Sequence, residues 1–147
     1  MLLLSPPDAL PGEETLAGFE YTTIAGVSWY GPSNFLNSRF KGRIVSKGMT
    51  KAEQVQAMRE VSPINYLTKQ SPPLLMFQGD KDTTIPIHHA YQMKEKADEV
   101  GAPVEIVIVK NAGHNWRDGD PESKTPIEPS RGEIVQQTVQ YFARFLE

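Results

Sequence analysis

The sequence predicts an α/β fold: a three-layer αβα sandwich around a short, three-stranded parallel sheet. Three observations lead there. Strand-like runs, β-branched and aromatic at residues 21–30 and apolar at 74–77 and 104–109, occur in order. Helical signals follow each of them, a capping box before residues 51–60 and apolar positions at helical spacing over 88–100 and 131–146. Strands that alternate with helices in this way build parallel sheets covered on both faces.

Residues 5–18 are rich in Pro, Gly and Glu and read as a surface loop, and Met1-Leu2-Leu3-Leu4 before them reads as the last turn of a helix. Residues 1–20 are therefore expected to be a residual helix end and loop, and residues 21–147 the strand–helix repeats of one partial domain. Tyr21 to Tyr30 carries β-branched and aromatic residues and stops at Gly31-Pro32. Thr50 followed by Glu53 is a capping-box pattern that starts a helix over Lys51 to Glu60, and Ser62-Pro63 ends it. Leu74 to Phe77, four apolar residues in a row, reads as a strand buried on both faces. Ala90, Tyr91, Met93, Ala97 and Val100 recur at helical spacing after Pro86, and Gly101-Ala102-Pro103 closes that helix. Val104 to Val109 is the clearest strand. Ile134, Val135, Thr138, Val139, Phe142, Phe145 and Leu146 form one stripe of a final helix.

A chain of 147 residues is one domain by size. Its net charge of −3 comes from interspersed acidic and basic residues, so no basic stripe invites nucleic acid. With no cysteine, disulfides, thiolate chemistry and Cys-based zinc sites are excluded. The leucines at the start are too few for a signal peptide, and no run approaches the ~20 apolar residues of a membrane span. The compartment is left open.

Two short stretches carry chemistry. Gln78-Gly79-Asp80-Lys81-Asp82 follows the second strand, and Asn111-Ala112-Gly113-His114 follows the third. Loops beyond the carboxyl ends of neighbouring parallel strands are where such sheets build sites. An Asp and a His placed there are two members of a Ser-His-Asp triad. Histidine supplies the base a serine hydroxyl needs, and a carboxylate orients the imidazole and stabilises its charged form. Asp82 is the candidate acid and His114 the candidate base. The alternatives are plain ones: Asp82 as a helix cap or turn residue, and His114 as a loop residue without a role. Asp80 is expected to stabilise the turn by bonding local amides. His88 and His89 read as surface residues at a helix start. Asp118, Asp120 and Glu122 read as a solvated loop in preference to a cation site. Trp116 either packs beside the histidine loop or lines an acyl pocket. No residue set calls for a metal or a cofactor.

The order of these motifs resembles the C-terminal half of an α/β-hydrolase, closest to the esterase/lipase and prolyl-oligopeptidase-like branch. Pro72 to Pro86 resembles the family's strand ending in Gly-Asp-x-Asp-x-x-(Val/Ile)-Pro, whose second Asp, here Asp82, is the triad acid. Val107 to His114 resembles the segment that ends in the triad His. Gly26 to Phe35 resembles the preceding strand and its Gly-Pro-x-(Asp/Asn)-(Leu/Phe) end. The resemblance implies hydrolysis of esters through an acyl-enzyme, or of peptides, with a small-molecule substrate.

The nucleophile is the departure. No Gly-x-Ser-x-Gly occurs in the sequence. Ser28 is crowded by Trp29 and Tyr30 inside its strand. Ser33, in Gly31-Pro32-Ser33-Asn34-Phe35, is the better candidate, opposed by Phe35 at a position that needs a small residue, by Pro32 before the turn, and by the lack of a further strand over residues 34–73. The resemblance instead places the elbow and the oxyanion-hole loop upstream of Met1. The expected chain is thus a hydrolase fragment without its own nucleophile, inactive alone. The strand at residues 21–30 would have an unpaired edge, a template for pairing with another chain, so a homodimer or higher oligomer is expected; a non-catalytic oligomerising or binding domain is the remaining alternative.

Overall fold

The computed structural model describes residues 22–36, 41–119, 122 and 125–146. The helix end and loop expected over residues 1–20, Tyr21 of the first strand, and Asp120 lie outside the described residues.

Three parallel strands, β1 (Gly26–Trp29), β2 (Leu74–Gly79) and β3 (Val104–Val109), lie in the order β1-β2-β3. Between them run the helices α1 (Lys41–Ile44), α2 (Lys51–Glu60) and α3 (His88–Val100), and α4 (Arg131–Ala143) follows β3. Two short 3-10 turns, Pro63–Tyr66 and His114–Trp116, complete the described elements. The fold class is the predicted one.

Register explains the strand lengths. Gly26 stands opposite Leu74, so any residue before Gly26 would face Pro73 or Pro72, which have no N–H to donate. The carbonyl of Pro73 still accepts the Gly26 N–H at 2.8 Å, but pairing stops there. The strand expected over residues 21–30 therefore shortens to 26–29. At its other end Tyr30 turns out of the sheet with φ +46°. β2 runs two residues further than Phe77, because β3 continues beside it, pairing Gln78 with Ile108 and Gly79 with Val109.

All six residues of β2 are buried, as a central strand between two helical layers demands. Alternation sorts them. Leu74 and Met76 pack with Met93 and Ala97 of α3. Leu75 and Phe77 pack with Ile134 and Tyr141 of α4. Each such side chain contributes about 1.5–3 kcal/mol when taken fully out of water, so this central strand anchors both layers. Local signals bound the helices. Thr50 and Glu53 form the expected capping box on α2, and Ser130 and Glu133 form a second on α4. Gly101, in the left-handed conformation (φ +76°), closes α3 with its N–H on the Ala97 carbonyl.

Candidate active site

The loops that leave β2 and β3 interlock. Past Gly79, the Asp80 N–H binds the Val109 carbonyl (3.1 Å) and the Lys81 N–H binds that of Ala112 (3.0 Å). Gly79 is required by this approach: a Cβ there would stand 2.2 Å from the Ala112 oxygen. The chain then turns, with the Asp82 N–H on the Gly79 carbonyl, and brings Asp82 under the loop after β3.

Asp82 is 5% exposed. Its Oδ1 accepts the N–H groups of Thr84 (2.8 Å) and Ile85 (2.9 Å), which also tie the turn before α3. Its Oδ2 lies 2.9 Å from Nδ1 of His114 and 3.2 Å from Nε2 of Gln78. The turn role and the histidine contact are therefore carried by the same carboxylate, one on each oxygen. Gln78, fully buried at the end of β2, is held in turn by the Ile85 carbonyl at 2.7 Å. The Asp82 carboxylate is acceptor-only when ionised, so His114 donates from Nδ1, and in the neutral ring Nε2 carries the free lone pair.

His114 follows Gly113, whose N–H binds the Arg117 carbonyl at 2.7 Å. The imidazole side chain keeps 30% of its surface exposed. Tyr30 lies edge-on to it, with ring centroids 4.9 Å apart, and lies equally close to Trp116 (4.8 Å). His114 opens on a cleft of about 410 Å³ lined also by Trp29, Tyr30, Gly31, Pro32, Phe35 and Ile85. The wall is mostly apolar, with the His114 imidazole and the Tyr30 phenol as its ionisable side chains. Trp116, at 5% exposure, stands behind Tyr30 and is not among the cleft-lining residues. Its carbonyl accepts two hydrogen bonds from the Arg131 guanidinium, at 3.2 and 2.7 Å, which tether the histidine loop to the start of α4.

Ser33 is fully buried, and its hydroxyl donates to the His89 carbonyl at 2.7 Å. No hydrogen bond joins it to His114 among the described residues. Two expectations change. His89 is buried at 5% exposure, because the start of α3 packs under the segment after β1; only His88 is on the surface. Asp80 binds no local amide through its side chain: Oδ1 is buried without a partner, since the Lys81 and Asp82 N–H groups are taken by backbone carbonyls. Asp118 and Glu122 are exposed, and no group of three metal-ligating side chains gathers among the described residues. Sequence reasoning missed Tyr30 and Gln78 as parts of the site. Gln78 had a signal, a polar residue within an apolar strand; Tyr30 had none, because its contact with His114 depends on the turn at φ +46°.

A parallel sheet between helical layers, with an Asp and a His paired beyond the ends of adjacent strands, is consistent with an α/β-hydrolase fold, and solved structures show that fold. The chain superposes on a truncated form of a carbohydrate esterase from gut microbiota with a TM-score of 0.65 and 21% identity, covering 82% of this chain and 42% of that one. It superposes on the propionate-bound esterase Est2 of Thermogutta terrifontis with a TM-score of 0.68 and 16% identity, covering 97% of this chain and 50% of that one. Residues 14–97, more than half of the chain, match the BD-FAE family, and the chain belongs to that family of α/β-hydrolase esterases. The matched span includes Asp82 and ends before His114.

Two curated relatives share shorter segments. Identity is 30% over 63 residues with the acylamino-acid-releasing enzyme of Arabidopsis thaliana, 43% of this chain and 8% of that protein. It is 30% over 73 residues with the peptidase YuxL of Bacillus subtilis, 49% of this chain and 11% of that protein. The chain thus spans about half the length of these solved structures or less, and the matched segments are a small part of the curated relatives. No helix among the described residues is long and apolar enough to cross a membrane.

Proposed function

We propose that Asp82 and His114 are the acid and base of a Ser-His-Asp site for hydrolysis of carboxylic esters, and that this chain alone is inactive because it supplies no nucleophilic serine. The 2.9 Å contact between Nδ1 of His114 and Oδ2 of Asp82 carries this reading, since it leaves Nε2 as the basic nitrogen of an imidazole that lines an apolar cleft. In such a site the imidazole takes the serine proton as the hydroxyl attacks the ester carbonyl, and the buried carboxylate stabilises the imidazolium. The leaving alcohol receives the proton, and water then resolves the acyl-enzyme by the same route. Only a group that presents its hydroxyl to Nε2 can play that part, and Ser33 is committed to the His89 carbonyl.

The test is hydrolysis of p-nitrophenyl acetate and butyrate by the purified chain, with fluorophosphonate labelling beside it. Absence of labelling, with a rate no higher than that of His114→Ala, is the expected result. A labelled serine with turnover that depends on His114 would overturn the inactivity. A labelled serine whose turnover survives both His114→Ala and Asp82→Ala would overturn the site as well.

A peptidase reading of the same pair is favoured by the two curated relatives, one described as an acylamino-acid-releasing enzyme and the other as a peptidase. Release of p-nitroaniline from an acylated amino-acid anilide, in preparations where the ester is not cleaved, would select it. A non-catalytic, self-associating role is favoured by β1, which pairs on one side only among the described residues while Ile24 before it is half exposed. Pairing of two copies along that edge predicts a dimer or larger species in sedimentation at micromolar concentration; a monodisperse monomer excludes it.

A further inference from the structure

His89 is a buried titratable group that the acid–base pair does not use. It is the second residue of α3, and its ring nitrogen Nδ1 faces three groups after β1. The backbone N–H groups of Ser33 and Asn34 both point at it from 3.4 Å. The Ser33 hydroxyl lies at 3.5 Å, but its proton is given to the His89 carbonyl at 2.7 Å. A nitrogen that meets two N–H donors must present its lone pair, so the ring is neutral and carries its hydrogen on Nε2. A proton added at Nδ1 would confront two N–H groups that cannot accept it.

The clamped segment is one wall of the cleft: Gly31, Pro32 and Phe35 line it together with His114. We propose that His89 is a positioning residue for this wall, which its neutral Nε2–H form holds against α3 and which protonation at Nδ1 releases. The segment keeps other ties. The Ser33 carbonyl accepts the Ile64 N–H (3.0 Å), and the Phe35 N–H binds Oγ of Ser62 (2.8 Å). Release is therefore a local shift of the wall, not loss of the fold.

Two titratable groups act on His89. His88, on its own helix, stacks at 4.6 Å, and Asp82 acts from the loop after β2. The groups presented by the wall, Ser33 and Asn34, are neutral, as is Gln92, which accepts from Asn34. Burial, and then the charge of a protonated His88, push His89 down to about 4, while Asp82 opposes them. The wall is thus held at neutral pH and let go in acid. None of this requires chemistry at His114.

The test is a pH titration of the ¹⁵N-labelled full chain by NMR. Long-range imidazole spectra are expected to show His89 as the Nε2–H tautomer at pH 7, with a single step near pH 4. The amide resonances of Ser33 and Asn34 should move on the same curve while that of Val107 in β3 stays still. In His89→Asn, where Oδ1 takes the place of Nδ1 and does not titrate, the two amides should keep their pH 7 positions and lose the acid step. The Nδ1–H tautomer, a His89 midpoint near 6.5, or an acid step that survives in His89→Asn would overturn the proposal. So would Val107 moving with the same midpoint, which is global acid unfolding. Should His89→Asn not fold, amide exchange in the unaltered chain decides: Ser33 and Asn34 exposed below pH 4 support the clamp, and continued protection there overturns it.

Discussion

Gly79→Ala tests how closely the two site-bearing loops must meet. The new Cβ would stand 2.2 Å from the Ala112 oxygen and 2.9 Å from its carbon, whereas ordinary contact begins at 3.4 Å. Backbone lies on both sides, so no flexible side chain can yield, and the loops must part by roughly 1 Å. The first loss is the 3.0 Å hydrogen bond from the Lys81 N–H to Ala112, about 1 kcal/mol. Forcing an extra methyl into a packed site costs about 1–3 kcal/mol more. Against this, alanine restricts the unfolded chain and returns about 0.4–1 kcal/mol. The net loss is roughly 1–3.5 kcal/mol. With a slope of about 2 kcal/mol per molar in urea, the midpoint should fall by about 0.5–2 M. The same displacement draws the loop after β3 away from Asp82 and lengthens the 2.9 Å contact with His114. NMR of the imidazole should then show a loss of the single Nδ1–H tautomer. A variant that unfolds at the original urea concentration, or that loses stability while His114 keeps its tautomer, would refute the coupling between loop approach and site geometry.

Two further outcomes follow from the same atoms. In Asp82→Asn, Oδ1 can still accept the Thr84 and Ile85 N–H groups, but an amide nitrogen then meets both Nδ1 of His114 and Nε2 of Gln78; His114 should switch to the Nε2–H tautomer by ¹⁵N NMR, and the donor–donor conflict with Gln78 should cost about 1–3 kcal/mol in urea melts. The pH dependence of stability has a worked sign: His89 binds its proton less readily folded (about 4) than unfolded (6.5), so its contribution is complete above pH 6.5 and is lost as pH falls toward 4. That loss approaches about 3 kcal/mol, so urea midpoints should fall more steeply between pH 7 and 4.5 in the unaltered chain than in His89→Asn; equal slopes would count against a buried neutral His89. Backbone bonds at Thr50 and the Ser130 hydroxyl hold the carboxyls of Glu53 and Glu133 below their ordinary range, so both variants share a further acid loss as pH falls below about 4.5.

Much of the chain was legible without coordinates, because the signals are local. Leu74 to Phe77 announces a doubly buried strand through its own apolarity, and Thr50 with Glu53 announces a helix start through bonds that span three residues. The second capping box, Ser130 with Glu133, was equally open to reading. Asp82 and His114 were legible as a pair because parallel neighbours with a helix between them must deliver their following loops to the same end of the sheet. Other features depend on which distant surface a residue meets. β1 is short because its register sets the preceding residues against Pro72 and Pro73, more than forty positions away. His89 resembles any surface histidine at a helix start until Ser33 and Asn34 aim their amides at it. Asp80 carries the side chain of a turn-former, but its neighbours' amides are spent on the carbonyls of Gly79 and Ala112. Hydrophobic period and capping act within a few residues and so are written along the chain. Burial, protonation state and the partner of each polar atom are set by contacts across the sheet, and only the packed molecule decides them.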